Sequence, residues 1–293
     1  MSTPLTLLTW NLGYAGLGKA AEFIADGGQR LRVEAPEGPR RWMQEIARFA
    51  ASRTEDLLLF QEAAKPSWVN HGCDLWGALR GALAPREHAY AHEFRIPLPF
   101  GAGAETACAL FHRALTDPIE DRRRLPSDGP SLFRQYPALM LRFLWAGAPF
   151  TTINAHLSAF DAGARLRSRQ LQTLLAIAGT EYAAGRHVVI GADFNYELAP
   201  SPRPHTTAAE HMGWLHPFPA NALAAGWRIA ADPKNPTFRS NDKPYVPGEN
   251  YAGIIDGFIV SPNVRVAEVA AIDLGFEASD HNPVRISVLP ADG

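Results

Sequence analysis

The feature that most constrains this chain is a repeated device: a short apolar, strand-favouring run that ends on one polar side chain able to do chemistry. Residues 5–10 end against Asn11, residues 56–61 against Glu62, residues 150–155 against His156 and residues 187–192 against Asp193. Asp256 stands inside the run 254–260, and Ser279-Asp280-His281-Asn282-Pro283 heads the last run, 284–289. Further runs of the same kind lie at 104–111, 136–144 and 264–272. Runs this short, rich in β-branched, Leu and aromatic residues, read as strands. A charged residue directly after such a run sits at the mouth of a sheet rather than in its middle.

Helical patterns are fewer. Residues 40–51 place Trp42, Ile46 and Phe49 on one face, and residues 162–183 turn Leu166, Leu171, Leu174, Leu175 and Ala178 inward with the arginines mostly outside. Strands dominate without regular alternation, which predicts an α+β fold of stacked sheets covered by helices. Each half runs strand, helix, strand, with an acidic residue after a strand (Glu62, then Asp193), a hint of a pseudo-symmetric sandwich. The 24 glycines and 24 prolines are scattered as turn punctuation with no linker, so residues 1–293 are expected to form a single domain.

Two irregular stretches, 13–39 and 232–253, are long enough to be functional loops. The second carries Pro236-Thr237-Phe238-Arg239, Lys243, Tyr245 and Tyr251. Aromatics interleaved with cations suit a substrate rim, with Arg239, Lys243 and Tyr245 as substrate-binding candidates. They suit equally a loop pinned down by its own aromatics.

The net charge of −2 lacks the cationic excess of a bulk nucleic-acid binder. It leaves room for a local basic groove from Arg122-Arg123-Arg124 or from Arg165, Arg167 and Arg169, though the first triplet reads better as solvated surface. Two cysteines, Cys73 and Cys108, are too few for a disulfide framework or a zinc site and read as free thiols. Residues 1–8 show no signal-peptide pattern, and no apolar stretch approaches the ~20 residues of a membrane span. The expectation is a soluble, cytoplasmic monomer with no stable membrane association.

The polar groups narrow the chemistry. Residues two apart on an extended chain point the same way, so Asp193 and Asn195 project together. Together they can orient a water and hold a phosphoryl oxygen, or they can close the strand as an Asx-type turn. Glu62 can only accept hydrogen bonds or bind a cation, and carboxylate and amide oxygens suit Mg or Mn better than zinc. Asn11 is placed for a metal or phosphate contact; His156 can be catalytic or structural. A carboxylate such as Asp256 inside an apolar strand is costly unless paired. His281 is the expected partner, and the pairing fixes the imidazole tautomer and raises its basicity. A metal held by carboxylates, an oriented base and polar groups for phosphoryl oxygens are what phosphoester hydrolysis requires.

Trp10-Asn11, the 56–62 run ending Gln-Glu, Asn154-Ala155-His156-Leu157, 191–195, Ile255-Asp256 and Ser279-Asp280-His281 stand in the order seen in the endonuclease/exonuclease/phosphatase superfamily, which this chain resembles over residues 5–289. That superfamily includes pancreatic-type deoxyribonucleases, abasic-site endonucleases, neutral sphingomyelinases, inositol-polyphosphate 5-phosphatases and deadenylases. The resemblance implies a four-layer α/β/β/α sandwich of two packed, mostly antiparallel sheets flanked by helices. It implies a Mg- or Mn-dependent phosphodiesterase, a nuclease first, with Glu62 as principal metal ligand and Asn11 and Asp280 completing the metal surroundings. His281 would be the general base, Asp256 its orienting partner and Asp193 the group positioning water. Asn195 would contact the phosphate, and His156 would hydrogen-bond it. Abasic-site endonucleases carry Tyr where His156 stands, which argues against that specialisation. Asn11-Leu12-Gly13-Tyr14, Asp26-Gly27-Gly28, Leu157-Ser158-Ala159-Phe160-Asp161 and residues 255–261 also resemble a bacterial subgroup.

Two other readings stand beside the nuclease. A phosphomonoesterase or lipid phosphodiesterase (sphingomyelinase-like or inositol-phosphatase-like) fits the near-neutral charge, with Trp214-Leu215-His216-Pro217-Phe218-Pro219 either facing a bilayer or packing as an ordinary loop. A non-catalytic binder of a phosphorylated partner would have lost a base or a metal ligand, and none of the expected residues is missing.

Overall fold

The computed structural model describes residues 3–96, 103–128, 133–161 and 163–291. The strands are β1 Leu5–Asn11, β2 Leu57–Ala64, β3 Glu87–Ile96, β4 Ala104–His112, β5 Thr116–Leu125, β6 Tyr136–Trp145, β7 Ala148–His156 and β8 His187–Asp193. They continue with β9 Tyr196–Glu197, β10 His216–Pro217, β11 Arg228–Ala230, β12 Phe238–Arg239, β13 Ala252–Gly253, β14 Asp256–Val260, β15 Val264–Ala271 and β16 Val284–Pro290. The helices are α1 Glu37–Ala51, α2 Leu75–Leu83 and α3 Arg165–Ala183.

Two six-stranded sheets dominate, in the orders β15-β16-β1-β2-β4-β3 and β11-β14-β8-β7-β6-β5. Each is antiparallel except for one pair: β1 with β2, and β7 with β8. A parallel pair needs a crossover, and α1 and α3 supply them. The strand, helix, strand repetition in the sequence is therefore real in three dimensions.

Strand alternation decides which layer each residue enters. Leu5 and Leu7 face the second sheet, packing with Leu139, Phe150, Val189 and Phe258. Leu8 and Trp10 face outward onto Trp42, Ile46 and Leu79 of α1 and α2. Ile153, Val188 and Ile190 do the same for Leu171, Leu174 and Ala178 of α3. The layers run α/β/β/α, as the resemblance implied.

One polar seam crosses the apolar interface between the sheets. Asn154 of β7 donates to the carbonyls of Phe60 (3.0 Å) and Ala109 (2.8 Å), and Gln61 donates to Asn154 Oδ1 at 2.7 Å and to Thr9 Oγ1 at 3.0 Å. The pairing of β2 with β4 shifts between Phe60 and Ala63, directly beside this seam.

The sequence reading missed α2, β3 and β5. β5 is an edge strand whose residues are mostly exposed, with Arg122 and Arg123 paired to Glu120 and Asp121, so it lacks a hydrophobic period. The Arg triplet is solvated, as the sequence implied. The expected start of the third helix at Ala162 lies outside the described residues. Its outward arginines need one correction: Arg167 is fully buried, donating to the carbonyls of Asn195, Trp214 and Asp161. Arg169 pairs with Asp128, so neither Arg167 nor Arg169 is left free to line a basic groove. Cys73 and Cys108 are buried free thiols. No helix among the described residues is long and apolar enough to cross a membrane.

Candidate active site

The polar strand ends converge on a cleft of about 460 Å³ lined by Asn11, Glu62, His156, Asp193, Asn195, Asp280 and His281. β1 is tied to the segment before β16 by Trp10 Nε1 donating to His281 O (2.9 Å) and Ser279 Oγ donating to Asn11 O (2.8 Å). Glu62 sits at the shift in β2 with φ 54°, a left-handed backbone that re-aims its side chain into the cleft.

His281 Nδ1 and Asp256 Oδ2 are 2.8 Å apart, so Asp256 and not the adjacent Asp280 orients the imidazole. Asp256 is fully buried in β14, flanked by β11 and β8, with its backbone N–H donating to Thr237 Oγ1. His281 Nε2 opens toward Asp193 Oδ2 at 3.8 Å. His156 Nε2 approaches the same oxygen from the other side at 3.4 Å. Asn11 donates to Asp193 Oδ2 at 2.9 Å, and the Asn195 backbone N–H donates to Asp193 Oδ1 at 3.0 Å. The latter closes an Asx turn, and Asn195 Nδ2 is spent on Leu157 O at 2.9 Å. Asn195 thus closes the turn, the structural alternative, and also lines the cleft.

Glu93 escaped the sequence reading. Its Oε1 lies 2.5 Å from His156 Nδ1, giving a second imidazole–carboxylate pair across Asp193. The signal was present in β3, where alternation puts Glu93 on the buried face with Ala89 and Ala91. Gln135 N–H donating to Glu93 O at 2.7 Å fixes that strand edge to the start of β6.

At the other end of the cleft Asp280 Oδ2 accepts from Asn241 Nδ2 at 2.7 Å. Asn241 is in turn held by Asp26 Oδ2, which accepts from its backbone N–H at 2.9 Å and from its amide at 3.2 Å. Burial pushes Asp26 up to about 6. Burial, then the field of Glu93 and Asp280, raises Glu62 to about 7 against the pull of His156 and His281. Burial works against the charge on His156, but Glu93 and Asp193 outweigh it and hold the ring up at about 9. His281 is likewise lowered by burial and raised further by Asp256 and Asp193.

The oxygen-rich end fits a hard divalent cation. Glu62 Oε2 is shielded from solvent and has no hydrogen-bond partner. Gly13 backs onto Asp280 so closely that a Cβ there would lie 2.9 Å from Oδ1, in a left-handed backbone with φ +51°. Asn11 Oδ1 accepts from Gly13 N–H at 3.0 Å and keeps a second lone pair. Asp193, Asp256 and His281 also offer ligand atoms within 4.8 Å of one another, enough to hold a metal ion. In that trio, however, His281 Nδ1 is already satisfied by Asp256.

The rim residues read from the sequence are placed differently. Arg239 is fully buried and donates to the carbonyls of Leu17, Gly18, Ala21 and Ser240, bracing the 13–39 loop. Tyr245 packs edge-on against Phe276 at 4.9 Å, and Tyr251 donates to Glu197 at 2.6 Å. Lys243 pairs with Glu249 at 2.9 Å and lies outside the cleft lining. The aromatics pin the loop down, because a long loop without secondary structure needs its own packing to stay ordered. Besides Asn241, Phe238 of that segment reaches the site, 5.3 Å from the His281 ring. In the 214–219 segment Trp214 is buried and Phe218 packs on Tyr196 at 5.9 Å, so that segment packs as an ordinary loop.

The model of the Endonuclease/Exonuclease/phosphatase family matches residues 8–281. The chain belongs to that family. Its members are hydrolases of phosphoester bonds that depend on a divalent metal. No curated protein matches the sequence. Among solved structures, a Bacteroides vulgatus member of this family is 16% identical and superposes with a TM-score of 0.61, over 98% of this chain and 99% of its own. TDP2 from Caenorhabditis elegans is 14% identical with a TM-score of 0.63, over 98% and 74%. The human Nocturnin catalytic domain with bound sulfate anion is 17% identical with a TM-score of 0.59, over 99% and 94%. At these identities the likeness speaks for the fold.

Proposed function

We propose that this chain, acting as a single domain, is a divalent-metal-dependent phosphodiester hydrolase in which His281 is the general base. The observation that carries the reading is the 2.8 Å His281–Asp256 pair with its free nitrogen aimed at Asp193, inside a cleft that also holds the partnerless oxygen of Glu62. Asp256 accepts from Nδ1–H, so Nε2 is the nitrogen left to take a proton. Asp193 positions the attacking water beside it, itself immobilised by Asn11 and the 193–195 turn. His156, held protonated by Glu93 and Asp193, places positive charge and a donor at the phosphoryl or leaving oxygen. Asn195 contributes its amide oxygen side to the same surface.

Glu62, Asp280 and the Asn11 amide oxygen are the groups that would hold Mg or Mn. When bound, the cation would polarise the phosphoryl group and offset the carboxylate field that otherwise keeps the imidazoles charged. Asp193, Asp256 and His281 are assigned to proton handling because Asp256 is engaged on the Nδ1 side of the ring, which leaves Nε2 beside Asp193 to exchange a proton.

Nucleic acid is the substrate class the family resemblance puts first. A compact phosphoester is favoured by the charge of the cleft. Arg134 is the one Lys or Arg among the described lining residues, against Asp26, Glu62, Glu93, Glu105, Asp193 and Asp280. The test is hydrolysis of bis-p-nitrophenyl phosphate and of single- and double-stranded DNA with Mn or Mg, with and without EDTA. Metal-dependent release of product supports the reading. Cleavage indifferent to EDTA, or no cleavage of any phosphoester, overturns it.

A further inference from the structure

An unbroken file of aromatic rings runs from the base to the mouth of the cleft. Phe238 lies 5.3 Å from His281, Trp214 5.8 Å from Phe238, Phe160 5.2 Å from Trp214 and Phe23 6.2 Å from Phe160. All of these rings line the cleft, and the opposite lip carries Leu31, Trp68 and Phe94. Centroid separations of ~4.5–7 Å are those at which rings pack favourably.

Several of these side chains face water although they are large and apolar. Phe160 is 43% exposed, Trp68 49% and Leu31 51%. Scattered apolar exposure is ordinary, but exposure grouped around one cleft marks a binding surface. Trp68 is not loose: Arg32 stacks on its ring at 4.4 Å and donates to its carbonyl at 2.9 Å. Asn70 holds the same turn by accepting from Ser67 N–H and donating to the carbonyls of Lys65 and Cys73. Phe23 is fixed by three backbone bonds, its N–H donating to Asn241 O (2.8 Å) and its carbonyl accepting from Gly28 N–H (2.9 Å) and Asp26 N–H (3.0 Å).

The charge around these rings does not suit a polymer of phosphates. A nucleic-acid backbone is held by several Lys or Arg, about one for each phosphate neutralised. Here Arg134 lies over the Tyr136 ring at 5.0 Å, and Glu105, already paired with Lys65 at 2.7 Å, faces the same side. A single phosphate at the Glu62–Asp280 end, with its charge offset by one cation, is compatible with such a cleft; a run of them is not. A volume of about 460 Å³ falls in the range of small-molecule sites.

We propose that the cleft is a subsite for a flat apolar or aromatic substituent of a compact, single-phosphate ester, seated between the Phe238–Trp214–Phe160–Phe23 file and the Trp68 lip. This rests on the phosphodiester hydrolase reading and narrows its substrate. The ring of a nucleoside and a plain aryl group share the needed chemistry, and the test separates them.

The experiment uses p-nitrophenyl diesters with a constant leaving group and a varied second group: methyl, phenyl or thymidine-5′. A single-stranded oligonucleotide is the polymer arm. With Mn, wild-type enzyme is expected to prefer phenyl over methyl by ~10-fold or more in kcat/KM, mostly through KM, as one well-placed ring allows. Phe160→Ala and Trp68→Ala, both at partly exposed positions, are expected to reduce that preference to ~3-fold or less while melting temperature stays near wild type. A thymidine ester far ahead of phenyl identifies the flat group as a nucleobase. Equal methyl and phenyl constants, an unchanged preference in both variants, or an oligonucleotide cleaved faster than every small ester overturns the inference while leaving the hydrolase reading intact. Failure of all diesters overturns that reading instead.

Discussion

His281 is gripped by Asp256 from β14, the second strand of one sheet, whereas His156 meets Glu93 from β3, the outermost strand of the other. The first contact is an aligned 2.8 Å hydrogen bond on a strand flanked by β11 and β8. The second is a 2.5 Å approach that is not aligned as a hydrogen bond, on outermost strand β3, whose pairing shifts between His92 and Phe94. The same chemical pair is thus aligned as a hydrogen bond on one side of Asp193 and close but unaligned on the other. A fixed base keeps one tautomer and one orientation through the reaction, while a charged donor tolerates small movement. On that ground the demanding role is proposed for His281.

Four measurements break or sharpen that contrast. His281→Ala is expected to lower kcat/KM by ~1000-fold, within the usual span for a positioned base; turnover near wild type would remove it from the mechanism. Glu62→Ala is expected to lose at least ~100-fold, the lower end for a positioned group, together with a raised Mn requirement. Its metal titration should shift, and a curve superimposable on wild type would move the metal elsewhere. Asp256→Asn should cost ~100-fold and Glu93→Gln ~10-fold, the span seen when partners that orient a reacting ligand are altered. Equal losses would erase the distinction between the sheet interior and its edge.

The smallest effect separates catalysis from stability. Glu181 of α3 accepts from Arg142 and from Thr151, which belong to β6 and β7. The Arg142 hydrogen bonds hold its carboxyl below its ordinary 4.5, outweighing burial. Its contribution to stability is therefore whole above about pH 4.5 and is lost as the pH falls through the lower folded value. Glu181→Gln should reduce unfolding free energy by ~1 kcal/mol at pH 7, a typical charge-assisted bond partly open to solvent. The gap should close in acid. Denaturant melts at both pH values check it, and a gap that persists in acid refutes the assignment.

Most of the site was legible because its members sit at the ends of apolar runs or, for Asp256, inside one. Asn11, Glu62, His156, Asp193 and Asp256 each stand out against strand residues that are buried for packing alone. Glu93 was not, because β3 mixes exposed and half-buried positions, and only its place on the face of Ala89 and Ala91 gives it away. Asp26 was legible only within a short motif and Asn241 not at all, because the chain Asp26–Asn241–Asp280 joins three segments distant in sequence, through a loop with no period to read. Arg239 misled for a related reason. A lone cation in a polar loop looks solvated, yet here the guanidinium fills the space between two loops by satisfying their carbonyls.

Asn154 has a consequence for how such a protein can vary. Its three short bonds join strands of opposite sheets, so one sheet cannot slip over the other without stranding an amide and two carbonyls in a dry interior. Glu62 belongs to one sheet and Asp193 to the other, and their spacing is inherited from this alignment. The apolar positions around it are free to exchange Leu, Val and Ile, while the tolerance of the whole cleft is set by one side chain that no substrate touches.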